Sequence, residues 1–167
     1  MKVFKSLALA LVLFMGMANV ALAQNDDHVV TIEVQAINEI LIAGDVTLTI
    51  SSATPGSDPA PATDATTYAV TTNDAGGTTR ITASTDQNVA TLGDGTGNDL
   101  ALKVTAGAPS GGTSAGEVSL STVATNVVTG MAPVSEAGIA LSYSLTATAE
   151  TGQVTSTGIT VTYTIIN

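Results

Sequence analysis

The sequence has no cysteine and no tryptophan, and among its 167 residues the aromatics are three tyrosines and two phenylalanines. Without cysteine there can be no disulfide scaffold, zinc–thiolate site, thiol catalysis or iron–sulfur cluster. Basic residues are scarce as well, four against 14 acidic ones, for a formal net charge of −10. Nucleic-acid binding through a basic surface is thereby disfavoured, because phosphate neutralisation needs Lys and Arg. His28 is the one histidine. It lies close to a predicted new N-terminus, where a chain is ordinarily mobile, and a Ser-His-Asp arrangement needs its imidazole held firmly against both partners. Carboxylate pairs are unavoidable among so many acids and point to no particular reaction. No catalytic constellation is expected, and the chain reads as a non-enzyme.

Hydrophobicity is concentrated first at the start of the chain. Residues 1–23 have the three parts of a secretory signal. Lys2 and Lys5 supply the positive end, residues 7–20 the apolar run, and Ala21-Leu22-Ala23 the small residues of a cleavage site. The run is shorter than the ~20 residues that cross a bilayer. Cleavage before Gln24 removes both phenylalanines and two of the four bases. The 14 acids then face only Arg80 and Lys103, a net charge of −12. No cysteine is available for a lipid anchor, and no second long apolar run follows. The expectation is a bacterial-type exported protein, secreted or held at the cell surface, with no transmembrane segment after cleavage. Residues 24–167 are expected to form one domain.

What remains is rich in threonine, 28 residues in all. Thr is β-branched and suits the solvent face of a strand. Apolar residues alternate with polar ones at period two, the pattern of half-buried strands. The stripes are Val30, Ile32, Val34 and Ala36; Val46-Thr47-Leu48-Thr49-Ile50; Tyr68-Ala69-Val70; Ile81-Thr82-Ala83; Leu100, Leu102 and Val104; Val118 and Leu120; Ile139, Leu141, Tyr143, Leu145 and Ala147; and Ile159, Val161, Tyr163 and Ile165. Asn73-Asp74-Ala75-Gly76-Gly77 reads as a hairpin connection. Pro- and Gly-rich breaks separate the other stripes. Apart from the signal, helical periodicity is limited to one turn's worth near residues 38–41. The fold class predicted is all-β, an immunoglobulin-like antiparallel sandwich of about eight strands. Its core would be aliphatic, thin, and open to gain from intermolecular packing.

Two segments are candidate sites. Asp94, Thr96 and Asn98 place oxygen side chains at alternate positions in a glycine-rich loop, with Asp99 beside them. Such a loop suits calcium, a hard cation with six to eight oxygen ligands. The competing reading is a plain strand connection built from turn-forming residues. The second candidate is the segment from His28 to Ala36. It alternates cleanly until Ile37-Asn38-Glu39-Ile40-Leu41-Ile42 breaks the pattern, which suggests a bulge or bend. It reads either as an ordinary first strand or as an exchangeable strand. In the second case Val30, Ile32, Val34 and Ala36 would fill pockets of a neighbouring subunit.

The order of signal, alternating N-terminal strand, Thr-rich sandwich and alternating final strand resembles bacterial fimbrial and pilin-type subunits. The cysteine-free alpha-type fimbrial subunits are the nearest likeness. The segments that carry it are Val29-Val30-Thr31-Ile32-Glu33-Val34, Tyr68-Ala69-Val70-Thr71-Thr72-Asn73 and Gly158-Ile159-Thr160-Val161-Thr162-Tyr163. One departure is visible: Ile166 stands next to last, where chaperone-usher pilins often carry an aromatic. The resemblance implies a structural subunit without an active site, one that self-assembles into a homopolymer or joins other surface proteins. The alternative expectation is an immunoglobulin-like adhesion or ligand-binding module, calcium-dependent if the 94–99 loop holds the ion. Its function would sit on the loops at 53–65, 93–99 and 107–116.

Overall fold

The computed structural model of the chain describes residues 26–93 and 100–167. The expected signal and all four expected calcium ligands, Asp94, Thr96, Asn98 and Asp99, lie outside the described residues. The described residues divide into two units, residues 26–34 and the described part of residues 35–167. In the first, residues 26–34 are exposed and belong to no strand.

The second unit is an all-β antiparallel sandwich. Its strands are β1 (Asn38–Ile42), β2 (Ala62–Thr72), β3 (Thr79–Thr85), β4 (Leu100–Ala106), β5 (Thr113–Ser114), β6 (Glu117–Ser119), β7 (Thr125–Met131), β8 (Val134–Ala147) and β9 (Val161–Ile166). One sheet has the order β1-β2-β8-β4-β6 and the other β5-β7-β3-β9. Short 3₁₀ turns lie at Val89–Thr91 and Ala149–Thr151.

Alternation builds the core. Leu100, Leu102, Val104 and Ala106 on β4 point inward, as do Ile139, Leu141 and Tyr143 on β8. From the second sheet Ile81, Val127, Val128 and Met131 meet them, each almost completely buried. Burial of such a side chain stabilises the fold by about 1.5–3 kcal/mol. Val127 and Val128 are adjacent yet both buried, because β7 slips register against β3 at this point. A second β7 slip places Thr129 and Gly130 opposite Arg80 alone, and Gly130 has φ +66°. Against β2, β8 slips at Ala137-Gly138, where Gly138 has φ +72°. Both positions are bulges with a glycine in the left-handed region that other residues avoid.

Three strand expectations are corrected. The first strand is β1, not residues 30–36. It pairs with β2 in unbroken register, so the expected bend or helical turn at 37–42 is a regular strand. Residues 46–50 keep their alternation, with Val46, Leu48 and Ile50 half-buried, but join no ladder. With β5 and β6 included, the described residues contain nine strands, in keeping with the expected count of about eight. The expected hairpin at 73–77 is a crossing between layers, since β2 and β3 lie in different sheets. A polar knot fixes that crossing. Thr72 Oγ1 donates to Asn38 Oδ1 at 2.7 Å, Asp74 N–H to Thr72 Oγ1 at 3.2 Å, and Thr79 Oγ1 to Asp74 Oδ2 at 2.7 Å.

Candidate functional site: an exposed apolar stripe and an open groove

Residues 28–36 hold a strand pattern without a strand. Val29 is 92% exposed, Ile32 83% and Val34 76%. Val30 and Ala36 are exposed as well. Isolated surface hydrophobics need no explanation, but a contiguous stripe of β-branched residues marks an interaction surface. The stripe lacks a ladder because none of its backbone is paired as a strand; the sequence pattern records which face is apolar, not whether a partner strand is there.

The chain enters the sandwich at a clamp made by Asn73. Ile37 N–H donates to Asn73 Oδ1 at 2.8 Å, Asn73 Nδ2 donates to Gln35 O at 2.7 Å, and Asn73 N–H donates to Ile37 O at 3.2 Å. These bonds extend the β1–β2 pairing outward by one residue and hold residues 35–37 in line with β1. Asn38 Nδ2 donates to Asn167 Oδ1 at 3.1 Å, which joins the start of β1 to the end of β9.

At the opposite end of β1 the sandwich opens. Beyond Ile42, residues 43–52 continue beside the first half of β2. Ala43 N–H donates to Thr67 O at 2.9 Å, and Thr47 N–H to Asp64 Oδ2 at 2.8 Å. The Thr47 bond, with one from the Ala65 N–H, draws the Asp64 carboxyl below its usual range. Among the described residues, Thr47 makes the single backbone hydrogen bond between residues 44 and 52. Facing this rim, residues 152–160 precede β9; among the described residues their ties to the rest of the sandwich lie toward β9, where Gln87 Nε2 donates to Gly158 O at 3.1 Å and Thr160 and Asp86 exchange two bonds at 3.0 Å.

Between the two rims lies a groove of about 970 Å³. Val46, Leu48 and Ile50 line one side, Val154 and Ile159 the other. Leu102 and Leu145 from the longer sheet form its floor. β8 has 14 residues whereas β3 and β9 in the other sheet have seven and six, so β8 is too long for those strands to cover its whole inner face. The groove's rims carry backbone groups without ladder partners, a template on which an added strand can pair.

Tyr143 and Tyr163 also line the groove. Their hydroxyls meet at 2.6 Å across the two sheets. Burial raises both phenols above the ordinary tyrosine value, so both stay protonated through the neutral range.

The other expected sites fare differently. His28 is exposed, and the described residues contain no group of three or more His, Cys, Asp or Glu placed to hold a metal ion. Residues 53–61 of the expected 53–65 loop region are free of strand, but residues 62–65 open β2. The 107–116 loop contains β5 and is pinned by Ser110 N–H donating to Glu136 Oε2 at 2.8 Å. No helix among the described residues is long and apolar enough to cross a membrane. Sequence reasoning missed the groove, because its floor residues look like any core residues. The available signal was the mismatch between the long β8 stripe and the shorter stripes of the facing strands.

No family model matches the sequence, and no curated protein matches it.

Proposed function

We propose that the chain is an extracellular structural subunit, pilin- or fimbria-like, that builds a filament by β-strand complementation. Residues 28–36 of one copy occupy the groove of the next, with Val30, Ile32, Val34 and Ala36 presented as the alternating apolar face. The observation that carries this reading is the pairing of an exposed, strand-patterned stripe with an open apolar groove on one chain. The apolar side chains Val30, Ile32, Val34 and Ala36 are exposed, and among the described residues no strand of a ladder lies along the groove's rims. The missing cysteines and the acidic composition fit an exported building block whose charge disfavours random association.

The layout favours exchange between copies over self-filling. The groove begins at Ile42, at the far end of β1 from residue 37. A chain filling its own groove would reverse at residues 35–37, which Asn73 holds in line with β1. It would then run back roughly 17 Å along β1, at ~3.3 Å per residue, before reaching the opening. Only its first few residues would enter. Insertion into a second copy joins unlike surfaces, and such a contact propagates rather than closes.

Deletion of residues 24–36 tests the reading. The expected product is a soluble unit that forms no filaments by electron microscopy and remains monomeric in size-exclusion chromatography. Filaments made from the truncated chain would overturn strand complementation.

A further inference from the structure

The rims of the groove mix Val, Leu and Ile with Thr, Ser and Asp45, and its lining of Leu102 and Leu145 is joined by two tyrosines. Tyr143 and Tyr163 bring two hydroxyls to 2.6 Å from each other. Each phenol carries one proton to donate and lone pairs to accept with. One proton closes the bond between them. The second has no acceptor among the described residues, so in the open groove it is left to water.

Filling the groove removes that water. A donor left unmatched in a desolvated site costs more than an ordinary hydrogen bond contributes. An occupant made only of hydrocarbon would bear that cost. An extended peptide, with a carbonyl on every residue, can meet the proton and also pair with the two ladder-free rims.

We infer that the Tyr143–Tyr163 hydroxyl pair selects a peptide main chain as the groove's occupant, by donating its spare proton to a backbone carbonyl of residues 28–36 from a second copy. The inference rests on the complementation reading and adds the contact that distinguishes a strand from a lipid or other apolar ligand. The pair also bridges β8 and β9, one strand from each sheet.

The test uses the mature full-length chain, with Tyr143→Phe/Tyr163→Phe as the variant. Loss of both hydroxyls removes one donor and leaves the groove more apolar. The expected result is a critical concentration for assembly raised about three- to tenfold, the span of one neutral hydrogen bond. Below that concentration, the variant should bind an environment-sensitive apolar dye at least as tightly as the parent, with no lower melting temperature. Tyr143→Phe alone keeps one hydroxyl with a free proton and should assemble close to the parent. A second measurement needs no variant. With no tryptophan and only three tyrosines in the chain, a synthetic peptide of residues 26–37 should perturb tyrosine absorbance as it binds.

An unchanged critical concentration in the double variant, or a peptide that binds without altering the tyrosine spectrum, would overturn the inference and leave complementation standing. A parent chain that neither assembles nor binds the peptide would overturn the complementation reading, and the inference with it.

Discussion

Three tyrosines set the alkaline behaviour of the sandwich. Tyr68 Oη donates to Gly107 O at 2.6 Å within the core. Burial first, and then the negative charge of Glu136, push its phenol up to about 12 from the ordinary 10.0. Tyr143 and Tyr163 are raised too, chiefly by burial. In the unfolded chain these phenols lose their protons near 10, while the folded chain retains them. The unfolded state is therefore stabilised as pH rises past about 10, and the melting temperature falls from there through about 12. Below 10 the tyrosines contribute no slope. The carboxylates act at the other end. Hydrogen bonds from Thr79 and the Gly76 N–H lower Asp74, and those from Ser110 lower Glu136. Their stabilisation is lost as pH falls below the ordinary carboxylate range. Melting curves between pH 8 and 12 check the alkaline limb; a midpoint flat across that range would contradict it.

At the scale of elements, β1 is the shortest route from the exposed stripe to the core, and Asn73 governs it. The Asn73→Ala substitution removes the bonds to Ile37 N–H and Gln35 O but leaves the backbone bond to Ile37 O. The expected cost is about 1–3 kcal/mol, two ordinary hydrogen bonds. Faster amide hydrogen exchange at residues 37–39, with β4 and β8 unchanged, is the measurement that locates the effect. The same region shows what the sequence made legible. Alternation in β4 and β8 reads directly as strand and core, because both strands pair on both sides and only the side-chain faces need be decided. Residues 28–36 and 46–50 alternate equally well yet form no ladder. Periodicity reports the apolar face of a segment, whereas a strand also needs a neighbour, and among the described residues these segments have no ladder neighbour. The bulges at Gly130 and Gly138 were illegible for a related reason: a glycine in a strand pattern signals a turn as readily as a left-handed bulge. The groove was hidden because it arises from unequal strand lengths across two sheets, which no local window contains.

For the whole molecule, the two ends of β8 set the geometry expected of the proposed filament. β8 runs nearly the full length of the sandwich. Its Val134 end pairs with Thr72, beside the clamp from which the N-terminal segment enters, and its Ala147 end lines the groove. Entry point and groove therefore sit at opposite ends of one 14-residue strand. Insertion of one copy's segment into the next stacks copies along the strand axis, head to tail, and advances each by about the length of β8. At ~3.3 Å per residue, less the bulge at Gly138, that length is roughly 40–45 Å. Pairing through the sheet edges instead would stack copies across the strands and produce the ~4.8 Å repeat of cross-β assemblies. The two arrangements differ by an order of magnitude in axial spacing, so layer lines from electron micrographs of the assembled mature chain separate them. An axial repeat of roughly 40–45 Å is expected; a dominant ~4.8 Å reflection along the fibre axis would mean that the groove is not where copies join.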